Sequence, residues 1–163
     1  MIKAGILSDT HLFAPDRTFA SRAARAFGDC EIIIHAGDLT EISVLDIFRD
    51  KKIYAVHGNM CSRLTRERLP GRLRFEVGDF SFGLIHGAGL GYDIESALWD
   101  IFPEADCVIY GHTHRALCHH QGNKLFINPG SFRATGRYGA PGTYALLSIG
   151  ETLEVTIHEV APR

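Results

Sequence analysis

Five times along the chain a short apolar run stops abruptly at a small polar turn. Ile2 to Leu7 ends at Ser8-Asp9-Thr10-His11, Glu31 to His35 at Ala36-Gly37-Asp38, and Lys52 to Val56 at His57-Gly58-Asn59. Phe80 to Ile85 ends at His86-Gly87, and Asp106 to Tyr110 at Gly111-His112-Thr113-His114. Apolar, β-branched runs bounded by turn residues read as buried strands. In sheets built from such strands, ligands bind in the crevice at the carboxyl ends. A fold that accepts this sequence must therefore gather five strand ends, each carrying polar side chains, around one place.

The intervening segments say how. Arg17 to Phe27 and roughly Glu41 to Phe48 have helical spacing, so the first three strands predict βαβ units and a parallel sheet. Leu73 to Val77 and Phe80 to Ile85, separated by Gly78-Asp79, predict a hairpin. Ile94 to Phe102 predicts a helix. Ala116 to His119, Lys124 to Ile127, Thr143 to Ile149 and Thr152 to Glu159 predict strands, with Gly122-Asn123 and Gly150-Glu151 at hairpin tips. The expected fold is α/β (α+β): a four-layer αββα sandwich of two mixed β-sheets flanked by helices. At 163 residues, without repeat, linker or low-complexity stretch, the chain is expected to form a single domain spanning 1–163.

Composition narrows the function classes. Hydrophobic residues at 45% and charged residues at 22% place the chain among ordinary globular proteins. A formal net charge of -2 argues against a broad basic surface, so nucleic acid is a poor candidate partner. No segment has the roughly 20 apolar residues of a membrane span, and the N-terminal run meets an acid too soon for a signal peptide. Cys30, Cys61, Cys107 and Cys118 show no CxxC pairing and suit buried thiols in a reducing compartment, so a cytoplasmic location is expected.

The polar turns hold carboxylates, imidazoles and one amide, with no thiolate. That set suits Mn²⁺, Fe, Zn²⁺, Ni²⁺ or Co²⁺ better than Ca²⁺, Mg²⁺ or an iron–sulfur cluster. Alone, Gly37-Asp38 and Gly58-Asn59 are ordinary turn dipeptides, whereas His112-Thr113-His114 has few purely structural uses. All five blocks in one chain, each after a strand, make a metal crevice the economical reading.

In this order, D-x-H (Asp9, His11), G-D (Asp38), G-N (Asn59), H-G (His86) and G-H-x-H (His112, His114) resemble the calcineurin-like metallophosphoesterases. The likeness is strongest to their small bacterial and archaeal phosphodiesterase branch, in which Asn128-Pro129-Gly130-Ser131 also follows the last block. The resemblance covers nearly the whole chain. It implies two divalent metal ions, with Mn²⁺ the first choice: Asp9, His11 and His114 on one, Asn59, His86 and His112 on the other, and Asp38 bridging. It further implies a shared hydroxide that hydrolyses a small or nucleotide-like phosphoester, most readily a phosphodiester. A homo-oligomer is also in keeping with this branch.

One departure stands out. Many members of the wider family place a His, thought to protonate the leaving group, where Met60 stands here, so no leaving-group acid is identifiable. Cys61 replaces the Asp usual in the small branch, and a thiol is expected to be a poor substitute for its orienting hydrogen bonds. The alternatives are a non-catalytic protein-binding scaffold of the same fold, like the retromer subunit, and less favourably a nuclease; a complete ligand set favours catalysis. Outside the ligand set, His35 and His57 read as either orienting or packing groups, and His119, His120 and His158 as partly exposed strand residues. Arg63, Arg66, Arg68, Arg72 and Arg74 read as a solvated basic face, and Arg133 and Arg137 as candidate substrate contacts.

Overall fold

The continuous apolar runs are satisfied by burial on both faces, as at Ile32–His35, Cys107–Ile109 and Lys124–Asn128, whereas Arg72–Val77 and Leu153–Glu159 alternate between more and less exposed positions. The computed structural model describes residues 1–134 and 140–162. In chain order the elements are β1 (Ile2–Leu7), α1 (Arg17–Phe27), β2 (Ile32–His35), a 3₁₀ helix (Ile42–Phe48), β3 (Lys52–Ala55), α2 (Arg63–Arg68) and β4 (Arg72–Val77). They continue with β5 (Phe80–Ile85), α3 (Ile94–Ile101), β6 (Cys107–Ile109), β7 (Leu117–Gln121), β8 (Lys124–Asn128), β9 (Thr143–Ile149) and β10 (Leu153–Glu159). They build two mixed five-stranded sheets, ordered β10-β9-β1-β2-β3 and β4-β5-β6-β8-β7. β1, β2 and β3 run parallel, as do β5, β6 and β8, while the remaining neighbours are antiparallel.

Alternate side chains make the layers. Ala4, Ile6, Ile32 and Ile34 from the first sheet meet Phe82, Leu84, Ile109 and Ile127 from the second in the central core. On the opposite face of the first sheet, Leu7 and Ile33 pack beneath Phe19, Ala23 and Phe27 of α1 and Val44, Leu45 and Phe48 of the 3₁₀ helix. On the outer face of the second, Val108 and Phe126 pack beneath Leu98 of α3 and Phe102 at its C-terminal cap. The predicted αββα arrangement is what forms. Close approach is made possible by Gly5, whose hypothetical Cβ would lie 2.3 Å from Phe27 Cδ1. Burying that phenyl ring contributes about 1.5–3 kcal/mol, so a Gly5 substitution would strike the α1 interface directly.

Two helical segments differ from expectation. Glu41 to Phe48 forms a 3₁₀ helix rather than an α-helix. Ile42, Val44 and Ile47 are β-branched and Glu41 makes no side-chain cap, so the segment is held by burial of Val44, Leu45 and Phe48 rather than by propensity. In contrast, α2 was hidden within the basic stretch. Its signal is Ser62, whose Oγ accepts the Thr65 N–H at 3.2 Å, while Asp16 caps α1 in the same manner.

Candidate metal centre

The five polar turns follow β1, β2, β3, β5 and β6, and neighbouring turns are stitched sideways by backbone hydrogen bonds. Asp9 N–H donates to Gly37 O, His11 N–H to Asp38 O and Gly111 N–H to His86 O, each at 3.0 Å. The backbone there is strained. Among the described residues, the non-glycine positions with positive φ are Asp9 (56°), His11 (48°), Asp38 (53°), Thr40 (71°), His112 (66°) and His114 (58°). Left-handed conformation costs an L-residue roughly 1–2 kcal/mol. Five of these six are the residues singled out as ligands, and such strain gathers where surrounding contacts over-determine a functional geometry.

The donor atoms converge on Asp9, which is fully buried. Its Oδ1 faces three imidazoles: His114 Nε2 at 3.1 Å, His11 Nε2 at 3.7 Å and His86 Nε2 at 3.9 Å. Its Oδ2 is held from behind by Ser8 Oγ–H at 2.6 Å and by the His112 N–H at 3.3 Å. Asp38 Oδ2 lies 3.1 Å from His86 Nε2, and its Oδ1 accepts the Met60 N–H at 2.7 Å. Two sets of three ligand atoms result, Asp9–His11–His114 and Asp9–Asp38–His86, each within 4.8 Å of one another. Asp9 belongs to both sets.

The remaining expected ligands stand at the rim. The His112 ring meets His86 edge-on, with centroids 5.2 Å apart. Asn59 is exposed, and its turn is pressed against Asp38: a Cβ on Gly58 would lie 2.1 Å from Asp38 Oδ1. Gly111 is equally constrained, since its Cβ would lie 2.1 Å from Ser8 Oγ and 3.0 Å from Asp9 Oδ2.

The donor set fits a cation. His86 Nδ1 lies 2.8 Å from Ala36 O, which can only accept, so Nδ1 carries a proton and Nε2 is the nitrogen left for a metal ion or a second proton. Buried Nε2 has no hydrogen-bond partner of adequate geometry, yet it faces two carboxylates. Buried nitrogen and carboxylate oxygens crowded together need a positive charge among them, and a divalent cation would satisfy all three groups in place of a proton. Burial disfavours the charged forms of His86 and Asp38, but their hydrogen bonding and mutual attraction prevail. The His86 pKa is thereby raised above the usual imidazole value and that of Asp38 lowered. His11 is shifted downward, chiefly by burial.

Supporting residues brace the ligand turns from behind. His35 is fully buried and its Nδ1 accepts the Gly37 N–H at 3.2 Å. Its Nε2 therefore carries the proton and donates to Thr10 Oγ1 at 3.1 Å, tying the β1 turn to the β2 turn. Burial holds its pKa down to about 3. Between orienting and packing, the contacts select orienting. Asn128 Nδ2–H donates to Gly111 O at 2.9 Å and to Thr113 Oγ1 at 3.0 Å, and Ser131 Oγ–H to Asp9 O at 3.1 Å. The Asn128–Ser131 segment thus braces two ligand loops. Ser8, adjacent to Asp9, was overlooked.

Other expectations sort themselves. Cys61 Sγ does accept the Gly58 N–H, at 3.3 Å, so the thiol retains part of the orienting task it was expected to lose. Arg63 pairs with Glu67 in solvent as predicted for a basic face, but Arg66 turns inward to the backbone of the Asn59 turn. Arg133 lies beside the centre, with Nη1 3.5 Å from His11 O, while Arg137 lies outside the described residues. His57 contacts Gly58 O at 3.3 Å, and His119, His120 and His158 are exposed strand residues.

Residues 2–152 match the calcineurin-like phosphoesterase superfamily domain, and the chain belongs to that family. It is 35% identical over 158 residues to a "Probable metallophosphoesterase" of Methanothermobacter thermautotrophicus, covering 94% of this chain and 90% of that one. A phosphodiesterase of Methanocaldococcus jannaschii is 30% identical over 147 residues, covering 79% and 83% respectively. Among solved structures, Vps29 of Entamoeba histolytica complexed with Zn²⁺ shares the fold at a TM-score of 0.72 and 22% identity, covering 98% of this chain and 100% of that one.

Proposed function

We propose that this chain is a dinuclear metal-dependent phosphodiesterase acting on a small or nucleotide-like phosphoester. The observation that carries the reading is the Asp9 carboxylate oxygen surrounded by three imidazole nitrogens, with the buried His86 Nε2 aimed between the Asp9 and Asp38 carboxylates. Asp9, His11 and His114 would hold one ion and Asn59, His86 and His112 the other, with Asp38 between them. When bound, two such cations polarise phosphoryl oxygens and make water acidic enough to react near neutral pH. Mn²⁺ heads the candidate metals, followed by Fe, Zn²⁺, Ni²⁺ and Co²⁺.

The residues of the chain supply geometry. Ala36 O fixes the His86 tautomer, Ser8 holds the rear oxygen of Asp9, and His35 and Asn128 lock adjacent turns. Such outer contacts keep ligand lone pairs aimed inward and raise their basicity. Met60 offers no proton to a departing alkoxide, so esters with good leaving groups are favoured. The four cysteines are all free, one of them exposed, which supports a cytoplasmic location.

The likeness to Vps29 keeps a second reading in view, a protein-binding scaffold. One assay separates them. Hydrolysis of bis(p-nitrophenyl) phosphate with added Mn²⁺, lost in His112→Ala, supports the enzyme. Absence of turnover with every divalent metal on the candidate list supports the scaffold. Gel filtration tests whether the chain self-associates.

A further inference from the structure

The turn after β3 has no regular structure of its own, yet it must carry Asn59 to the rim of the site. Three sets of contacts close it. Met60 N–H donates to Asp38 Oδ1 at 2.7 Å, and Gly58 N–H donates to Cys61 Sγ at 3.3 Å. From the next helix, Arg66 reaches back: Nε–H donates to Cys61 O at 3.1 Å and Nη2–H to Asn59 O. Sulfur is a weak acceptor, whereas hydrogen bonds from a charged donor are among the strong ones. Arg66 has no carboxylate partner among the described residues, so its fork is committed to these two carbonyls. A planar guanidinium spanning the carbonyls on either side of Met60 fixes the orientation of both peptide planes.

We propose that Arg66 is the positioning residue for Asn59, compensating for the weak thiol at Cys61 by clamping the turn from outside. The proposal deepens the reading of Asn59 as a metal ligand and rests on it. Arg66 is an exposed residue on a six-residue helix, so its removal loosens the turn without unfolding the sandwich. Cys61, only 7% exposed, provides a reporter, because a loosened turn uncovers its thiol.

The test uses full-length protein in a Cys118→Ser background, since Cys118 is the exposed thiol. Arg66→Met and Arg66→Lys are compared with the parent by Mn²⁺ calorimetry, by reaction of the metal-free protein with an aryl disulfide, and by thermal melting. Arg66→Met is expected to weaken the second Mn²⁺ site about 10- to 100-fold while sparing the first, as outer-contact losses do. Cys61 should become reactive, the melting temperature should hold, and Arg66→Lys should fall between. Unchanged Mn²⁺ binding with Cys61 still protected would overturn the proposal alone. Equal weakening of both sites together with a lowered melting temperature would overturn it as a merely structural role. Absence of Mn²⁺ uptake by the parent would bring down the proposed function and this inference with it.

Discussion

His35 makes the account testable through pH. It is fully buried, neutral, and bonded as an acceptor to Gly37 N–H and as a donor to Thr10. Its pKa is held down to about 3 in the fold, against 6.5 for a free imidazole. Between those values the unfolded chain binds a proton at this position that the folded chain refuses. Stability therefore rises with pH across that window and is lost on acidification, with a slope of about 1.4 kcal/mol per pH unit. From pH 7.5 to 5.0 the loss attributable to His35 is about 2 kcal/mol. His35→Gln cannot titrate and should lack this component, although losing the two hydrogen bonds costs it about 1–3 kcal/mol at pH 7.5. Urea denaturation of both metal-free proteins at the two pH values measures the difference. The wild type should lose about 2 kcal/mol more than the variant on acidification, so that the gap between them narrows. If the two proteins lose equal stability, the buried neutral imidazole is misassigned.

Further expectations follow from the same geometry. Gly111→Ala should reduce Mn²⁺ binding and activity by at least about tenfold, because its Cβ would collide with Ser8 Oγ and crowd Asp9 Oδ2; an active, metal-replete variant would contradict this. A metal and a proton compete for His86 Nε2, and the neighbouring carboxylates raise its pKa, so Mn²⁺ affinity should climb with rising pH, as calorimetry from pH 6 to 8 would show; affinity independent of pH would refute it. With Met60 unable to donate a proton, aryl phosphodiesters should be hydrolysed much faster than alkyl ones. Equal kcat/KM for the two classes would point to an acid elsewhere.

What could be read in the residues was the placement of strand ends. Ile32 to Ile34 and Cys107 to Ile109 are apolar on every position because both faces are buried, and such runs announce themselves. The hairpin tip at Gly78-Asp79 was equally plain, since Val77 pairs with Phe80 across a two-residue turn and Gly78 takes a φ of 60°. Partners distant in sequence were not legible. Ser131 reaches Asp9 across 122 residues and His35 reaches Thr10 across 25, and no local pattern encodes either contact. The strain at Asp9, His11, Asp38, His112 and His114 was likewise invisible, because the surrounding loops impose it rather than the residues' own preferences. For α2, a short arginine-rich segment looked like a solvated face, and only the Ser62 cap hinted otherwise.

The measurement that bears most directly on all of this is the number of metal ions the purified protein retains. After loading with Mn²⁺ and removal of the excess, elemental analysis should give two ions per chain, and substitution of Asp9 by Asn should release both, because its carboxylate faces three of the imidazoles. Retention of no ion, or undiminished uptake by the Asp9→Asn protein, would contradict the claim that these turns form a dinuclear centre.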